Sequence, residues 1–182
     1  MTRTIDHIVY AVFDLDRAIA DFTEQLGIAP VFGGRHEGRG TKNALLNLGN
    51  SCYLEIIAID EWNTGVEPPR WMGLDVLQKP QITRWCLKSE DLAQDQSVLK
   101  TYHPAMGTQW NGQRTTASGE LLAWEMLLPL PEPEVAIIPF MVDWSSSSFH
   151  PTERLPQTCT LLKLELTHPE PGQLKPYLES LG

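Results

Sequence analysis

Residues 5–12 read IDHIVYAV and residues 14–27 read DLDRAIADFTEQLG, and the change of pattern between them decides the fold. The first stretch is rich in β-branched and aromatic residues, which predicts a β-strand. In the second stretch, Asp14 is a good N-cap and apolar side chains recur at helical spacing up to Leu26. Gly27 follows, at the position where a left-handed cap favours glycine. The fold therefore starts with a strand that leads directly into an amphipathic helix.

Three shorter strands are predicted after this helix, at residues 29–32, 43–48 and 52–59. Gly49 and Asn50 separate the last two of them and are typical of a hairpin turn. The order predicted for the first 60 residues is therefore β-α-β-β-β.

The same order returns in the second half of the chain. Asp91-Leu92 follows a strand in the way that Asp14-Leu15 does, and we expect Ser89 to cap the second helix. The predicted strands of this half are residues 82–87, 108–113, 121–128 and 135–142. The chain thus contains a repeat of element order, although the two halves share little sequence.

This repeat divides the chain into segments. Residues 1–60 and 81–144 form two modules, and residues 61–80 form a linker or lid with one short helical turn at residues 74–77. Residues 145–182 are predicted to be an irregular segment followed by a strand, residues 160–167, and a helix, residues 172–181, which look like the start of a third unit.

A single strand-helix pair cannot bury the apolar side chains of Leu162, Leu164 and Leu166, which alternate along the last predicted strand. This pair must dock on a sheet edge, cross to a partner chain or continue into a longer protein. We expect the last of these, because Gly182 stands where Gly27 of the first module goes on into a strand.

A β-α-β-β-β unit exposes one hydrophobic face of its curved sheet. Two such units, or two copies in a dimer, are needed to close a core and a cavity. The predicted fold class is therefore α+β, with tandem βαβββ modules whose curved mixed sheets surround a small-molecule cavity.

Composition and charge exclude several classes of function. The chain has 182 residues, 42% of them hydrophobic, and a net charge of -9, so a nucleic-acid partner is not expected. No apolar run approaches the ~18 residues that a membrane helix needs, and the N-terminus has no signal-peptide pattern. The three cysteines are too few and too far apart for a disulfide framework, which favours a reduced, cytoplasmic protein.

Five short motifs together resemble the glyoxalase-like group of the vicinal oxygen chelate superfamily, which includes glyoxalases, bleomycin-resistance proteins and dioxygenases. These motifs are Asp6-His7-Ile8-Val9, Asp14-Leu15, Gly33-Gly34-Arg35-His36, Gly40-Thr41-Lys42-Asn43 and Tyr53-Leu54-Glu55-Ile56. The resemblance implies paired modules around a cavity. It further implies either a divalent metal with lyase, isomerase or dioxygenase chemistry, or metal-free sequestration of an antibiotic.

His7 and Glu55 are the candidate metal ligands, because matching positions in this superfamily supply ligands from the first and last strands of a module. An imidazole nitrogen and a carboxylate suit Zn, Fe, Mn or Ni. Glu55 lies between apolar neighbours and is costly to bury unpaired, so it must face a metal, water or a polar partner. The alternative is a buried hydrogen bond between His7 and Glu55 without a metal. Glu55 is also our candidate for the catalytic base.

The second half does not repeat this pair. Alignment of the two helix starts puts Arg84 opposite His7, and the place of Glu55 falls near Phe140. Arginine repels a cation, so a complete metal site would need His36, His150 or a second chain. We expect Arg84 to reach the cavity instead and to bind Glu55 or an anionic substrate.

The glycine-rich residues 33–43 hold the local basic cluster of Arg35, Arg39 and Lys42. We predict a rim that orients an anion, with Arg35, or alternatively Arg39, and Thr41 and Asn43 binding substrate and His36 acting as acid or base. A solvated connection is the alternative. Four tryptophans of the second half would add an aromatic wall or serve as core residues: Trp85, Trp110, Trp124 and Trp144.

The function predicted from these residues is the binding of a small oxygenated or anionic molecule, with enzymatic turnover if a metal is held. The rival is a metal-free binding or sequestration protein, and the least specific option is a subunit whose fold serves association. A homodimer is expected as the oligomeric form, since two copies can also close the cavity.

Overall fold

The structure is a computed structural model, and it describes residues 3–115, 120–156 and 159–182. Residues 1, 2, 157 and 158 of the predicted first and last segments lie outside the described residues. The first half has the predicted β-α-β-β-β order. Its elements are β1 (Ile5–Ala11), α1 (Leu15–Leu26), β2 (Val31–His36), β3 (Thr41–Asn47) and β4 (Tyr53–Ile59).

The second half repeats the order, and one further helix follows it. Its elements are β5 (Gln81–Lys88), α2 (Leu92–Tyr102), β6 (Thr108–Thr115), β7 (Leu121–Leu128) and β8 (Phe140–Asp143), and the last helix is α3 (Pro171–Leu181). A 3₁₀ turn at Leu74–Val76 matches the short helical turn predicted between the halves.

The helix signals work locally as the sequence predicts, with one correction. The Asp14 side chain accepts a hydrogen bond from the Arg17 N–H at 3.0 Å, and Gly27 ends α1 with a φ of 70°. In α2, however, Asp91 is the N-cap and accepts from the Gln94 N–H, so the prediction of a Ser89 cap is wrong. The Ser89 hydroxyl instead donates to the buried carboxylate of Asp95.

Two predicted strands differ in the structure. β8 begins at Phe140 and not at residue 135. Residues 135–138 follow a proline-rich turn, and proline interrupts strand pairing. In this segment the Ala136 N–H donates a hydrogen bond to the carbonyl of Thr83 in β5. Residues 160–167 form no strand, although all of them are described. The Leu161 N–H donates to the carbonyl of Leu48, but β3 is already paired on both edges by β2 and β4, so no free edge is available there.

One curled, mixed sheet contains all eight strands in the order β2-β3-β4-β1-β5-β8-β7-β6. β1 pairs with β4, and β5 with β8, in parallel, while the antiparallel pair β1–β5 joins the halves. The predicted α+β fold class with paired modules is therefore confirmed.

The register of strand pairing shows which residues of the two halves occupy equivalent places. Counting back from the two N-caps, Val9 of β1 matches Cys86 of β5. The β4 partner of Val9 is Glu55, and the β8 partner of Cys86 is Phe140. Phe140 thus occupies the place of Glu55, as the sequence alignment of the halves predicts.

The two faces of the sheet have different coverings. The helices pack on one face, where α1 covers the first half and α2 and α3 cover the second. The other face carries a core that both halves share, and residues 71–77 pack into it with Trp71, Met72, Leu74 and Leu77 buried. The segment between the halves therefore covers the sheet face on which the candidate site lies.

Candidate functional site

A cavity of about 480 Å³, including its mouth, opens on the sheet face opposite the helices. The first half lines it largely with polar side chains and the second half with apolar ones. Its lining residues are His7, His36, Asn43, Leu45, Tyr53, Glu55, Trp71, Met72, Leu122, Trp124, Met126, Val142, Trp144 and Pro151. A pocket with one polar and one apolar side suits a small molecule that carries both kinds of group.

His7 is held in place by the residue before it. Its Nδ1 atom lies 2.6 Å from Oδ1 of Asp6, and both side chains are buried. The pairing of β1 with β5 shifts register between Ile5 and His7, so Asp6 sits at an irregularity of the strand. Tyr53 stacks on the His7 ring with centroids 4.6 Å apart. The imidazole is therefore fixed, with its Nε2 atom turned away from Asp6.

Asp6 collects three N–H donors. Besides His7, the Nε2 atom of His150 lies 3.0 Å and Nε1 of Trp144 lies 3.1 Å from Oδ2 of Asp6. Burial by itself raises the pKa of Asp6, but the hydrogen bonds from His150 and His7 outweigh burial and bring that pKa down to about 2. Asp6 is therefore ionised at neutral pH and accepts the Nδ1 proton of His7.

His7 and Glu55 face each other across a gap. Nε2 of His7 lies 3.8 Å from Oε2 of Glu55, too far for a hydrogen bond. Because Nδ1 of a neutral His7 donates to Asp6, Nε2 is an acceptor, and so is the ionised carboxylate. Two acceptors that face each other without a donor leave room for a proton, a cation or a ligand hydroxyl group.

The other oxygen of Glu55 is bound by Asn43. Nδ2 of Asn43 lies 2.6 Å from Oε1 of Glu55 and 3.3 Å from Nε2 of His36. An amide nitrogen can only donate, so His36 carries its proton on Nδ1, which lies 2.9 Å from Oγ1 of Thr41. The indole of Trp71 also donates to Thr41. The predicted residues His7, His36, Thr41, Asn43 and Glu55 therefore form one connected group.

Arg35 lies apart from this group. Its guanidinium pairs with the buried carboxylate of Asp60 and, with Trp62 and Asn63, lines a separate surface depression. The hydrogen bond that Arg35 donates to Asp60 raises the pKa of Arg35. Arg35 is thus neutralised within the protein and is not a lining residue of the cavity.

Arg84 also lies apart from the cavity. Its guanidinium donates to carbonyl oxygens of Thr83, Leu130, Pro131, Pro133 and Glu134 at 2.6–3.2 Å. Burial lowers its pKa to about 10. The predicted contact between Arg84 and Glu55 is not formed, because these carbonyls hold the guanidinium and Asn43 holds Glu55.

The aromatic wall is partly as predicted. Trp124 and Trp144 line the cavity, with centroids 5.5 Å apart, and Trp110 packs behind Trp124. Trp85 belongs to the core under α2 and α3, where its indole donates to the carbonyl of Ile137. Trp71 completes the wall from the segment between the halves.

Two lining or supporting residues were missed from the sequence. Asp6 was noted as part of a motif without a role, since its partners Trp144 and His150 come from the far end of the chain. Trp71 was placed in a linker. The signal that could have found Asp6 is a carboxylate next to the candidate ligand His7, which is the usual way to orient a metal-bound or catalytic imidazole.

The donor set fits a divalent metal in part. His7 and Glu55 present two facing acceptors, and Asp6 orients His7 as carboxylates do behind metal ligands. Asp6, His7 and Cys86 also place ligand atoms within 4.8 Å of one another. However, Asp6 already accepts three hydrogen bonds, and burial raises the pKa of the Cys86 thiol well above its usual range. His7 and Glu55 are therefore the better pair.

A sequence profile of the glyoxalase-like domain matches residues 5–182. The chain belongs to the glyoxalase-like domain family. The resemblance seen in the short motifs is thereby confirmed, and the curled sheet agrees with the vicinal oxygen chelate fold. In the described part of this glyoxalase-like chain, no helix has the length and apolar composition needed to span a bilayer.

Solved structures show the same fold at low identity. A hypothetical protein from Staphylococcus aureus superposes with a TM-score of 0.59 and 19% identity, covering 84% of this chain and 63% of that one. A methylmalonyl-CoA epimerase from Streptomyces coelicolor, in complex with 2-nitronate-propionyl-CoA, has a TM-score of 0.50 and 15% identity, covering 81% and 98%. The glyoxalase-like chain thus spans less than two thirds of the Staphylococcus protein. Comparison with curated proteins finds no match.

Proposed function

We propose that this glyoxalase-like protein binds a small oxygenated molecule in its cavity and moves a proton on it with Glu55 and His7, as an isomerase or lyase. The gap of 3.8 Å between Nε2 of His7 and Oε2 of Glu55 carries this proposal. Both atoms are acceptors, both side chains are buried, and the cavity opens onto them.

Glu55 and His7 have different roles in such a reaction. Glu55, held by Asn43, takes a proton from the carbon next to a carbonyl group. His7 takes the proton of a neighbouring hydroxyl on Nε2, and the ionised Asp6 stabilises the imidazolium that forms. Return of the Glu55 proton to the adjacent carbon, and of the His7 proton to oxygen, completes an isomerisation without an external oxidant. Loss of a leaving group instead would give a lyase.

A divalent metal, which many members of the superfamily use, would be held by His7 and Glu55. It would polarise the two neighbouring oxygens of the substrate. In that form His36 is the candidate acid or base, because its Nε2 atom lies 3.9 Å from Oε1 of Glu55 and its ring is fixed by Thr41. Lyase, isomerase or dioxygenase chemistry would follow, with Zn, Fe, Mn or Ni as the candidate ions.

Binding without turnover is the second candidate. It is favoured by the second half, which lines the cavity with Trp124, Trp144 and aliphatic side chains and has Phe140 and Arg84 where the first half has Glu55 and His7. Such a wall suits a flat apolar ligand. A cytoplasmic location and a homodimer remain predictions from the sequence.

Hydrogen exchange separates these candidates. Protein purified without an affinity tag is incubated in D₂O with a panel of small 2-hydroxy ketones and 2-oxo acids, and ¹H NMR follows exchange next to the carbonyl. We expect exchange with at least one compound, reduced by at least about 100-fold in Glu55→Gln. Glu61→Gln is the matched control, since Glu61 is exposed and pairs with Lys42.

Equal exchange in wild-type and Glu55→Gln protein would contradict the proposed chemistry. Binding of a panel compound without exchange would favour the second candidate. Metal analysis of the same preparations tests the metal form, which requires stoichiometric metal in the wild type and its loss in His7→Ala and Glu55→Ala.

A further inference from the structure

We infer that Arg39 binds an anionic group, such as a carboxylate, of the ligand that enters the cavity. The sequence left anion binding open between Arg35 and Arg39 of the basic cluster, and the structure places Arg35 away from the cavity. The inference rests on the proposed function of the cavity and adds a substrate class to it, a small molecule with one negatively charged end.

The Arg39 guanidinium lies over two tryptophan rings of the aromatic wall. Its Cζ atom lies 4.7 Å from the ring centroid of Trp110 and 5.1 Å from that of Trp71. Trp71 lines the cavity, and Trp110 packs on Trp124, which also lines it. The guanidinium is therefore held next to the cavity wall by contacts with two rings, each of which favours a cation.

The backbone around Arg39 is also fixed. Gly40 adopts a left-handed conformation with a φ of 63°, and its carbonyl accepts the Asp60 N–H at 2.9 Å. A Cβ atom at Gly40 would lie 3.0 Å from Cβ of Val66, so the chain passes close to the segment that covers the sheet. Arg39 thus projects from an anchored turn.

Arg39 differs from its basic neighbours in its surroundings. Arg35 pairs with Asp60, Lys42 with Glu61 and Arg70 with Asp75. Within the described part of the chain, Arg39 has no ion pair and no hydrogen bond, and its Nε atom is buried without a partner. Burial lowers the pKa of Arg39, because the surrounding protein partly removes water from its charge.

These features match the recognition of a planar anion. The rings contact the guanidinium without accepting hydrogen bonds from it, and a guanidinium can donate two parallel hydrogen bonds to a carboxylate. Inside the cavity, the carboxylate of Glu55 disfavours a second anion, and so does the buried carboxylate of Asp6 behind His7. A ligand with one charged end would therefore point that end to Arg39 and its neutral, oxygenated end to Glu55.

Matched probes test this inference. Benzoate and benzamide have the same shape and differ in charge, and quenching of tryptophan fluorescence and titration calorimetry report their binding. We expect benzoate to bind more tightly than benzamide, and Arg39→Gln to weaken benzoate by at least about tenfold while benzamide changes little. Arg39→Lys keeps the charge without the planar fork and should lose part of the affinity.

Arg35→Gln is the control, because it removes the same charge from the same strand-turn region but from a guanidinium that Asp60 already neutralises. Equal benzoate affinity in wild type and Arg39→Gln, an equal loss for benzamide, an equal loss in Arg35→Gln, or no binding of benzoate to the wild type would each overturn the inference.

A second variant separates failure of the inference from failure of the proposed function. Trp124→Leu alters the cavity wall without changing charge. If benzamide binding needs Trp124 and benzoate binding does not need Arg39, the cavity function stands and the inference on Arg39 is wrong. If benzoate binding needs Arg39 but not Trp124, the anion binds outside the cavity, and the proposed function loses its ligand site.

Discussion

Asp6 accepts a hydrogen bond from Nδ1 of His7 at 2.6 Å, and this contact turns Nε2 of the same ring toward Glu55. The bond joins adjacent residues, so it depends on the strand irregularity at Asp6 that brings both side chains together. His150 and Trp144 bind the same carboxylate from a segment that follows β8. Residues that follow β8 therefore support the arrangement of His7 and Glu55 in the first half.

Replacing Asp6 by Asn should change stability in a pH-dependent way. The pKa of Asp6 falls from 3.8 to about 2 on folding, so its carboxylate stabilises the folded state above pH ~4, and this contribution disappears as the pH falls toward about 2. Asp6→Asn should lower the free energy of unfolding at neutral pH by about 2 kcal/mol and flatten its acid dependence. Urea unfolding across this range, with a chelator present, measures both effects.

Asp21→Asn is the control for this experiment. Asp21 pairs with Arg17 on the exposed face of α1, so its loss should change stability little at any pH. If the free energy of unfolding of Asp6→Asn falls with pH as steeply as that of the wild type, Asp6 is not the group that causes the acid dependence.

Replacing Arg84 by Lys should destabilise the protein without changing ligand preference. A lysine ammonium cannot reach the carbonyls that the Arg84 guanidinium joins across residues 130–134, and it would leave buried acceptors unpaired. We expect a loss of roughly 2–4 kcal/mol in unfolding experiments. If Arg84→Lys were as stable as the wild type and no longer bound acids more tightly than amides, Arg84 would have to be a ligand-binding residue.

The sequence predicts those parts of the fold whose signals are local. β1 and α1 follow from alternation and from Asp14 and Gly27, because these signals act within a few residues. His7 and Glu55 were expected together because matching positions of the resembled superfamily supply metal ligands, and the structure places the two side chains 3.8 Å apart.

Long-range contacts determine the features that the sequence did not predict correctly. Arg84 was expected at the cavity because its place matches that of His7, but the carbonyls of a proline-rich turn, about fifty residues away, hold its side chain. Residues 160–167 alternate like a strand, yet Leu162 is 93% exposed, because the strands nearby have no free edge. Pairing partners of this kind are not visible in a single segment.

Gly112→Ala should displace the indole of Trp124, which lines the cavity. A Cβ atom at Gly112 would lie 2.4 Å from the ring of Trp124, so the indole must move. We expect weaker binding of cavity ligands, by several-fold or more, and a changed tryptophan emission spectrum. Gly172→Ala is the control, since nothing lies within 4 Å of a Cβ atom there. Unchanged affinity in Gly112→Ala would argue against Trp124 as a ligand contact.

Thiol labelling should distinguish the three cysteines. Burial raises the pKa of Cys52 to about 11 and that of Cys86 well above its usual range, so both remain protonated and shielded at pH ~8. Cys159 is only partly buried and should react first with iodoacetamide. Peptide mass spectrometry of native and urea-unfolded protein checks this order. Early modification of Cys86 in the native protein would contradict the buried position.

The position of the proton on the His7 ring is the sharpest test of the proposed proton transfer between the ligand, His7 and Glu55. ¹⁵N NMR of the histidine side chains, at a pH where the rings are neutral, reports which nitrogen carries the proton. The structure predicts a protonated Nδ1 and an unprotonated Nε2 for His7, with this preference lost in Asp6→Asn. A proton on Nε2 of His7 in the wild type would mean that the ring presents a donor to Glu55, and the arrangement proposed for proton transfer would be wrong.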